Sequence, residues 1–281
     1  VRVLASFILY YPPEGIAQRV ASVAKEVDGV LVIANSKLVD TCFDAQRSNF
    51  FSKLNIIQNN ENLGIARALN QAAQHALANR YDWLLTMDQD SDFDSDGIAK
   101  MISFAARASA EIALVAPLHR TPMANPVSAA VEVQEIRMTM TSGNLLRLKA
   151  YQACGPFEEK LFIDSVDHEY CLRLRRKKWK IVRLNSVILF HELGKITYTP
   201  FAGMRLKTTH HNATRRYYVA RNRLYVMFKY FWFDTKFFRR EAGHYLKDYL
   251  RVIFLEQNRS AKIAAMLLGT WHFIIGRLGP R

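Results

Sequence analysis

Apolar and polar positions over the first hundred residues alternate between two rhythms. Val1 to Leu9, Val30 to Ala34, Leu54 to Gln58 and the stretch opening at Trp83 are short apolar runs that read as strands. Between them, Glu14 to Val27 and Gly64 to Ala78 repeat apolar residues at helical spacing, the second through Ile65, Ala68, Leu69, Ala72, Ala76 and Leu77. That alternation predicts a doubly wound sheet of parallel strands with crossover helices. Trp83-Leu84-Leu85-Thr86-Met87 has no polar face, as expected of a strand covered on both sides.

This last run ends in carboxylates at alternate positions, Asp88, Asp90 and Asp92. In open α/β sheets ligands sit beyond the carboxyl ends of the strands, so these acids are placed to meet one. Clustered carboxylates repel unless a cation joins them, and Mg²⁺ or Mn²⁺ prefers oxygen ligands, often one or two carboxylates with substrate phosphates. The pattern therefore suggests a metal and diphosphate site. Two plainer readings stand beside it. Asp92 to Gly97 resembles the opening of a calcium loop, but Ser103 stands where a bidentate Glu belongs. Asp94 to Asp96 can also be a solvated loop capping a helix from Gly97 to Ala108.

Other strand exits are polar too: Asn35-Ser36 after the second strand, and Asn59-Asn60-Glu61-Asn62-Leu63-Gly64 after the third. Neither a G-x-G-x-x-G after the first strand nor a G-x-x-x-x-G-K-[ST] occurs, which excludes the usual dinucleotide enzymes and P-loop NTPases. Farther on, Ile112 to Pro117 reads as a fifth strand, Leu118 to Asn125 as a loop and Val131 to Met140 as an extended strand. Thr141-Ser142-Gly143-Asn144 breaks the pattern at a close backbone approach. Phe162 to Arg173 runs through Asp164, Asp167 and Glu169 into a helix whose acids favour its positive end. Ile181 to Leu184 and Val187 to Phe190 read as two short strands, the second delivering His191, and Lys195 to His211 as a loop.

Half of the 281 residues are hydrophobic, enough for a full core, and no apolar run is long enough to span a membrane. No leader peptide is visible. Three scattered cysteines, Cys42, Cys154 and Cys171, lack CxxC spacing and argue for neither disulfides nor zinc. The net charge of +14 is concentrated at one end: residues 205–281 hold 16 Lys and Arg against 4 Asp and Glu. Tyr217 to Phe254 also holds 13 aromatic residues interleaved with the basic ones. Packed helices are the plain reading of this tail; an interfacial, non-spanning membrane contact is the sharper one.

The ordered series Asn35-Ser36, Asn59 to Ala66, Met87-Asp88-Gln89-Asp90-Ser91, Ser142-Gly143-Asn144, Ile163-Asp164-Ser165-Val166-Asp167-His168-Glu169, His191-Glu192-Leu193-Gly194 and Arg221-Asn222-Arg223 resembles family-2 glycosyltransferases, and among them the rhamnosyltransferase branch. The resemblance implies an α/β, GT-A (Rossmann-like), mostly parallel twisted sheet flanked by helices, with an appended C-terminal helical region. It divides the chain into a catalytic domain, residues 1–204, with a nucleotide-sugar half to about 117 and an acceptor half from 118, and a basic helical region, 205–281.

It also implies an inverting enzyme that uses a divalent metal, Mg²⁺ or Mn²⁺, to move L-rhamnose from dTDP-L-rhamnose to a glycan or lipid-linked glycan. Asp167 would be the catalytic base, Asp90 and His191 metal ligands, and Asp88 a nucleoside contact. Asn35, Ser36, Asn62, Gly143, Asn144 and Asp164 would line the substrate, and Arg221 and Arg223 would add charge at the diphosphate. Ala34 stands where the family commonly has Asp, which bears on the base contact. For single residues plainer readings remain: His191 as a strand-end histidine, Asp164 as a cap, Arg173 to Lys178 as a solvated helix end and Cys171 as core. The expected setting is the cytoplasmic face of the cell membrane, in envelope polysaccharide synthesis, with a homo-oligomer compatible. Rivals are transfer of another sugar, such as galactofuranose or glucose, and a nucleic-acid-binding protein built on the basic aromatic tail, for which no binding motif is found.

Overall fold

A computed structural model describes residues 1–37, 43, 51–120, 131–191, 197–201 and 204–281. The chain forms two compact units: Val1–Glu159 with Tyr170–Glu192, and Lys160–Glu169 with Leu193–Arg281. The acidic segment before and into the 166–176 helix thus groups with the tail.

In the first unit the elements are β1 (Val3–Leu9), α1 (Ile16–Ala24), β2 (Gly29–Ala34), β3 (Leu54–Gln58), α2 (Ile65–Ala78), β4 (Trp83–Asp88), β5 (Ser91–Phe93), α3 (Gly97–Arg107), β6 (Ile112–Arg120), β7 (Val133–Glu135), β8 (Asn144–Arg147), α4 (Leu148–Cys154), most of α5 (Val166–Arg176) and β9 (Lys180–His191). The sheet order is β3-β2-β1-β4-β8-β6-β9-β5, with β7 also on β9. Strands β3, β2, β1 and β4 are parallel, as the sequence rhythm predicts. Beyond β4 the sheet is mixed, because β8 enters antiparallel between β4 and β6.

Every residue of β2 is buried, the mark of a strand covered on both faces. One face carries Val3, Ala5, Phe7 and Leu9 of β1 with Trp83, Leu85 and Met87 of β4 against Ile16, Val20 and Val23 of α1 and Ile98 and Met101 of α3. The other carries α2, whose small buried face of Ala66, Ala68, Leu69, Ala72, Ala73 and Ala76 brings the helix close to the sheet. Fully burying a side chain such as Phe7 or Leu9 stabilises the fold by about 1.5–3 kcal/mol.

Several local expectations change. The extended strand expected over Val131 to Met140 is only Val133–Glu135, since just these residues pair with β9. The two strands expected at 181–184 and 187–190 are one, β9: its pairing with β6 jumps from Pro117 and Leu184 to Leu118 and Ile188, so an irregularity absorbs the polar Asn185-Ser186. Lys195 to His211, expected as a loop, contains a hairpin of β10 (Thr197–Phe201) and β11 (Met204–Thr208). Its cross-strand backbone bonds do not depend on the apolar alternation that the sequence lacks there. Cys42 lies outside the described residues, and Cys154 and Cys171 are buried.

The second unit holds the hairpin, the first turn of α5, and α6 (Ala213–Lys229), α7 (Thr235–Leu255) and α8 (Arg259–Ile274). Asn212 caps α6 by accepting from the Arg215 N–H at 2.8 Å, and Asp234 caps α7 by accepting from the Phe237 N–H at 3.0 Å. Helices α6 and α8 approach at Gly269, where a Cβ would stand 2.5 Å from the Tyr217 carbonyl oxygen. Among the described residues no helix is long and apolar enough to cross a membrane.

Candidate functional site

Because β1 to β4 are parallel, their polar exits share one edge of the first unit. Side chains there knit the exits together. The buried Asn35 accepts from Asn59 Nδ2 at 2.8 Å and donates to the Gly64 carbonyl at 3.2 Å, while Asn59 and Gln71 exchange bonds of 2.9 and 3.0 Å. Asn62 accepts from the Gly64 N–H at 2.9 Å, shaping the entry to α2, and Ser36 accepts from the Tyr11 N–H at 2.7 Å. Asn35 and Ser36 therefore hold neighbouring strand ends in register. Tyr10 and Tyr11 are 48% and 73% exposed at the end of β1, their rings edge to face at 4.6 Å. They offer an aromatic surface at this edge that the sequence pattern did not single out.

The acidic turn after β4 is fixed from three sides. Gln89 accepts from the Tyr10 N–H at 2.9 Å and donates to its carbonyl at 3.1 Å, like one rung of a sheet. Arg19 of α1 donates to the Gln89 carbonyl at 2.7 Å and to Asp92 at 2.8 Å. Buried Ser142 accepts from the Asp88 N–H at 3.0 Å and donates to Ser91 Oγ at 2.9 Å. Gly143 has φ +77°, donates to the Thr86 carbonyl at 2.6 Å, and leaves no room for a Cβ, which would stand 2.7 Å from Leu189. This is the close approach expected from the Ser-Gly-Asn break. Asn144, also buried, donates to the Met140 carbonyl and accepts from Thr139 at 3.3 Å, so it shapes the loop before β8.

Asp88 ends β4 and Asp90 follows two residues later, both partly exposed. Strand β5 then pairs antiparallel with β9 in the register Ser91 to His191, so the backbone brings His191 opposite the neighbour of Asp90. Among the described residues no group of three or more His, Cys, Asp or Glu could hold a metal alone. A carboxylate such as that of Asp90, with further oxygens from a diphosphate and water, is the kind of donor Mg²⁺ or Mn²⁺ prefers.

In the second unit, the segment leading into α5 is strained: Phe162, Asp164 and Ser165 have φ of +63°, +62° and +63° without being glycine. Asn222 of α6, fully buried, holds it by pointing its amide nitrogen at the carbonyls of Leu161, Ile163 and Asp164, at 2.6, 2.7 and 3.2 Å. Arg215 grips the Asp164 carboxylate with two bonds of 3.2 and 3.3 Å. Burial pushes the Asp164 carboxyl above its usual range, and Arg215 works against that rise. Asp167 stands in the first turn of α5, accepting from the His168 N–H at 2.8 Å. Glu169 is wholly buried and takes bonds from Lys229 at 2.9 Å and Tyr230 at 2.8 Å.

Arg221 and Arg223 occupy interior positions. Arg221 is 1% exposed and donates to Asn222, Tyr217 and the carbonyls of Gly279 and Lys160. Arg223 pairs with Asp248 at 2.6 Å and Glu241 at 3.3 Å. In the Arg-Asn-Arg stretch it is the central Asn that holds the acidic segment, with Arg221 orienting it. A buried carbonyl left unpaired costs about 1–3 kcal/mol, so Asn222→Ala is expected to lower unfolding stability by that order and to slow turnover. Urea unfolding checks this; an unchanged midpoint would show that the strained segment keeps its shape unaided. At the other end of α5, Arg173 donates to the Pro156 carbonyl and Lys177 to that of Ala153, at 2.7 Å for the latter, so the basic helix end is tied to its own unit.

Residues 10–157 match the family described as glycosyl transferase family 2. The chain is 24% identical over 244 residues to the dTDP-rhamnosyl transferase RfbF of Shigella flexneri, covering 81% of this chain and 80% of that one. Among solved structures, S. aureus TarS 1-349 aligns with a TM-score of 0.64 at 11% identity, over 99% of this chain and 82% of that one. The mannosyltransferase PcManGT from Pyrobaculum calidifontis, solved with GDP-Man and Mn²⁺, aligns at 0.58 and 12% identity, over 98% and 88%. GalNAc-T7, solved with UDP, GalNAc and Mn²⁺, aligns at 0.59 and 12% identity; the match covers 78% of this chain and 47% of that one. These likenesses carry the GT-A fold. With the family pattern running from the exit of β1 to just past α4, over half of the chain, the protein belongs to glycosyl transferase family 2.

Proposed function

We propose that this glycosyltransferase moves L-rhamnose from dTDP-L-rhamnose to a hydroxyl of a glycan or lipid-linked glycan, with inversion at the anomeric carbon. The observation that carries the reading is the fixed acidic turn Asp88-Gln89-Asp90 at the shared exit of four parallel strands. The similarity to a dTDP-rhamnosyl transferase over most of both chains supports this sugar and nucleotide. Asp90 and His191 would hold a divalent cation, which when bound neutralises the charge of the departing diphosphate. Asp88 would meet the nucleoside, Tyr10 and Tyr11 would offer it an aromatic surface, and Gly143 would let the chain pass close to the ligand. Asn35, Ser36, Asn62 and Asn144, fixed by their bonds to neighbouring chain ends and loops, would line the substrate. Arg221 and Arg223, held by partners within the second unit, would add charge at the diphosphate from there.

Asp167 takes the proton of the acceptor hydroxyl. The acceptor oxygen bonds to the anomeric carbon as the bond from that carbon to the phosphate oxygen breaks, and dTDP leaves with the electron pair. Asp164, held by Arg215, and the Asn222 clamp keep the start of α5 in place. Calorimetric titration with dTDP-L-rhamnose and with uridine-diphosphate galactofuranose and glucose tests the donor. Binding of the rhamnose donor that needs Mg²⁺ or Mn²⁺ and vanishes with a chelator is expected; a clear preference for another donor would replace the sugar.

A further inference from the structure

Residues 205–281 contain four acidic residues, and all four are buried: Asp234, Glu241, Asp248 and Glu256 are 5%, 4%, 6% and 1% exposed. Each has an interior task. Asp234 caps α7, Glu241 and Asp248 pair with Arg223, and Glu256 pairs with Arg216 and Lys262. The outer surface of the three-helix tail therefore presents cations and apolar groups with no acidic side chain among them.

The apolar groups are arranged. On α7, Tyr245, Tyr249 and Val252 face α8, and the exposed Leu246, Leu250 and Ile253 each follow one of them by one position. On α8, Ile263, Met266 and Thr270 face α7, while Leu267 and Trp271 again follow by one, with Ile274 and Ile275 on the same stripe. One residue is a rotation of about 100°. The helices are antiparallel, since Tyr245 meets Thr270 while Val252 clusters with Met266. Equal rotations about opposed axes carry both stripes to the same side. Lys236 and Arg239 continue the α7 stripe at helical spacing, and both are exposed. Phe228, in the last turn of α6, packs instead on Phe273 and Phe238, away from this stripe.

We infer that this side of α7 and α8 is a docking surface for an anionic lipid bilayer. Aromatic and aliphatic side chains beside Lys and Arg match the boundary between headgroups and acyl chains, where the apolar face sinks and the cations meet phosphate. The charge decides between bilayer and second copy: two such faces brought together would oppose cations to cations with no exposed acid between them, whereas an anionic leaflet complements both features. The surface lies wholly within the second unit and does not depend on which sugar the enzyme transfers.

Sedimentation of the full chain with vesicles tests this. Binding to vesicles containing phosphatidylglycerol, weak binding to pure phosphatidylcholine and release by salt are expected. Leu250→Ser with Trp271→Ser, and separately Lys236→Glu with Arg239→Glu, should each weaken vesicle binding by at least about tenfold and leave calorimetric donor binding unchanged. Unchanged donor binding also shows that the variants are folded. No sedimentation with anionic vesicles at low salt would overturn the inference, as would full binding by both double variants. A dimer that the Leu250 and Trp271 double variant dissolves, without any lipid binding, would assign the face to a second copy instead.

Discussion

Asp167→Asn is expected to bind the donor as the parent enzyme does and to lose turnover by about 10²–10⁴-fold, the range typical of a positioned general base. The substitution keeps the shape of the side chain and an oxygen to accept the His168 N–H, so α5 should start as before. What it removes is the capacity to take a proton. Loss in kcat without loss of donor binding is the signature of a group acting only in the transition state. The same single carboxylate predicts the stereochemistry. With one displacement a β-linked dTDP-L-rhamnose gives an α-L-rhamnoside, readable from the anomeric signals of the product. A β-rhamnoside, or near-normal turnover in the Asn variant, would remove Asp167 from this role.

Asp90→Ala should act at the other step, weakening metal-dependent donor binding by at least about 100-fold, since loss of even an outer partner of a metal ligand commonly costs 10–100-fold. Arg19 and Ser142 hold the turn through the Gln89 carbonyl, the Asp88 N–H and the Ser91 hydroxyl, and the Gln89 side chain ties it to Tyr10, so the turn itself should survive the change. Calorimetry with and without Mn²⁺ separates a lost ligand from a lost fold. If the variant still binds donor more tightly with metal than without, by the parent's margin, Asp90 is not a ligand.

Strands β1 to β4 and most of β6, with helices α1 to α3, were legible because each carries its own apolar period; β6 runs on to Arg120 through residues that read as loop. The same is true of the acids at the β4 exit, which interrupt a continuous apolar run. Strands β5, β7 and β8 span 3, 3 and 4 residues, too short for a period to declare itself. Their pairing is made by backbone bonds to strands distant in sequence. The partners of the Arg-Asn-Arg stretch were illegible for a related reason: Asp248, Glu241 and the carbonyls of Lys160 and Gly279 reach the two arginines only through tertiary structure.

By itself, then, the sequence determined the family, the parallel half of the sheet and the acidic exit of β4, all written in local patterns that need no distant partner to be read. The tertiary structure decided what spacing cannot encode. It set Arg19 and Gln89 to brace the acidic turn and made Asn222 the clamp on a strained segment. It also buried every acid of the tail, leaving an outer surface of cations and apolar groups. Composition gives a segment its net charge, but which charges face water depends on which of them find a partner when the helices pack.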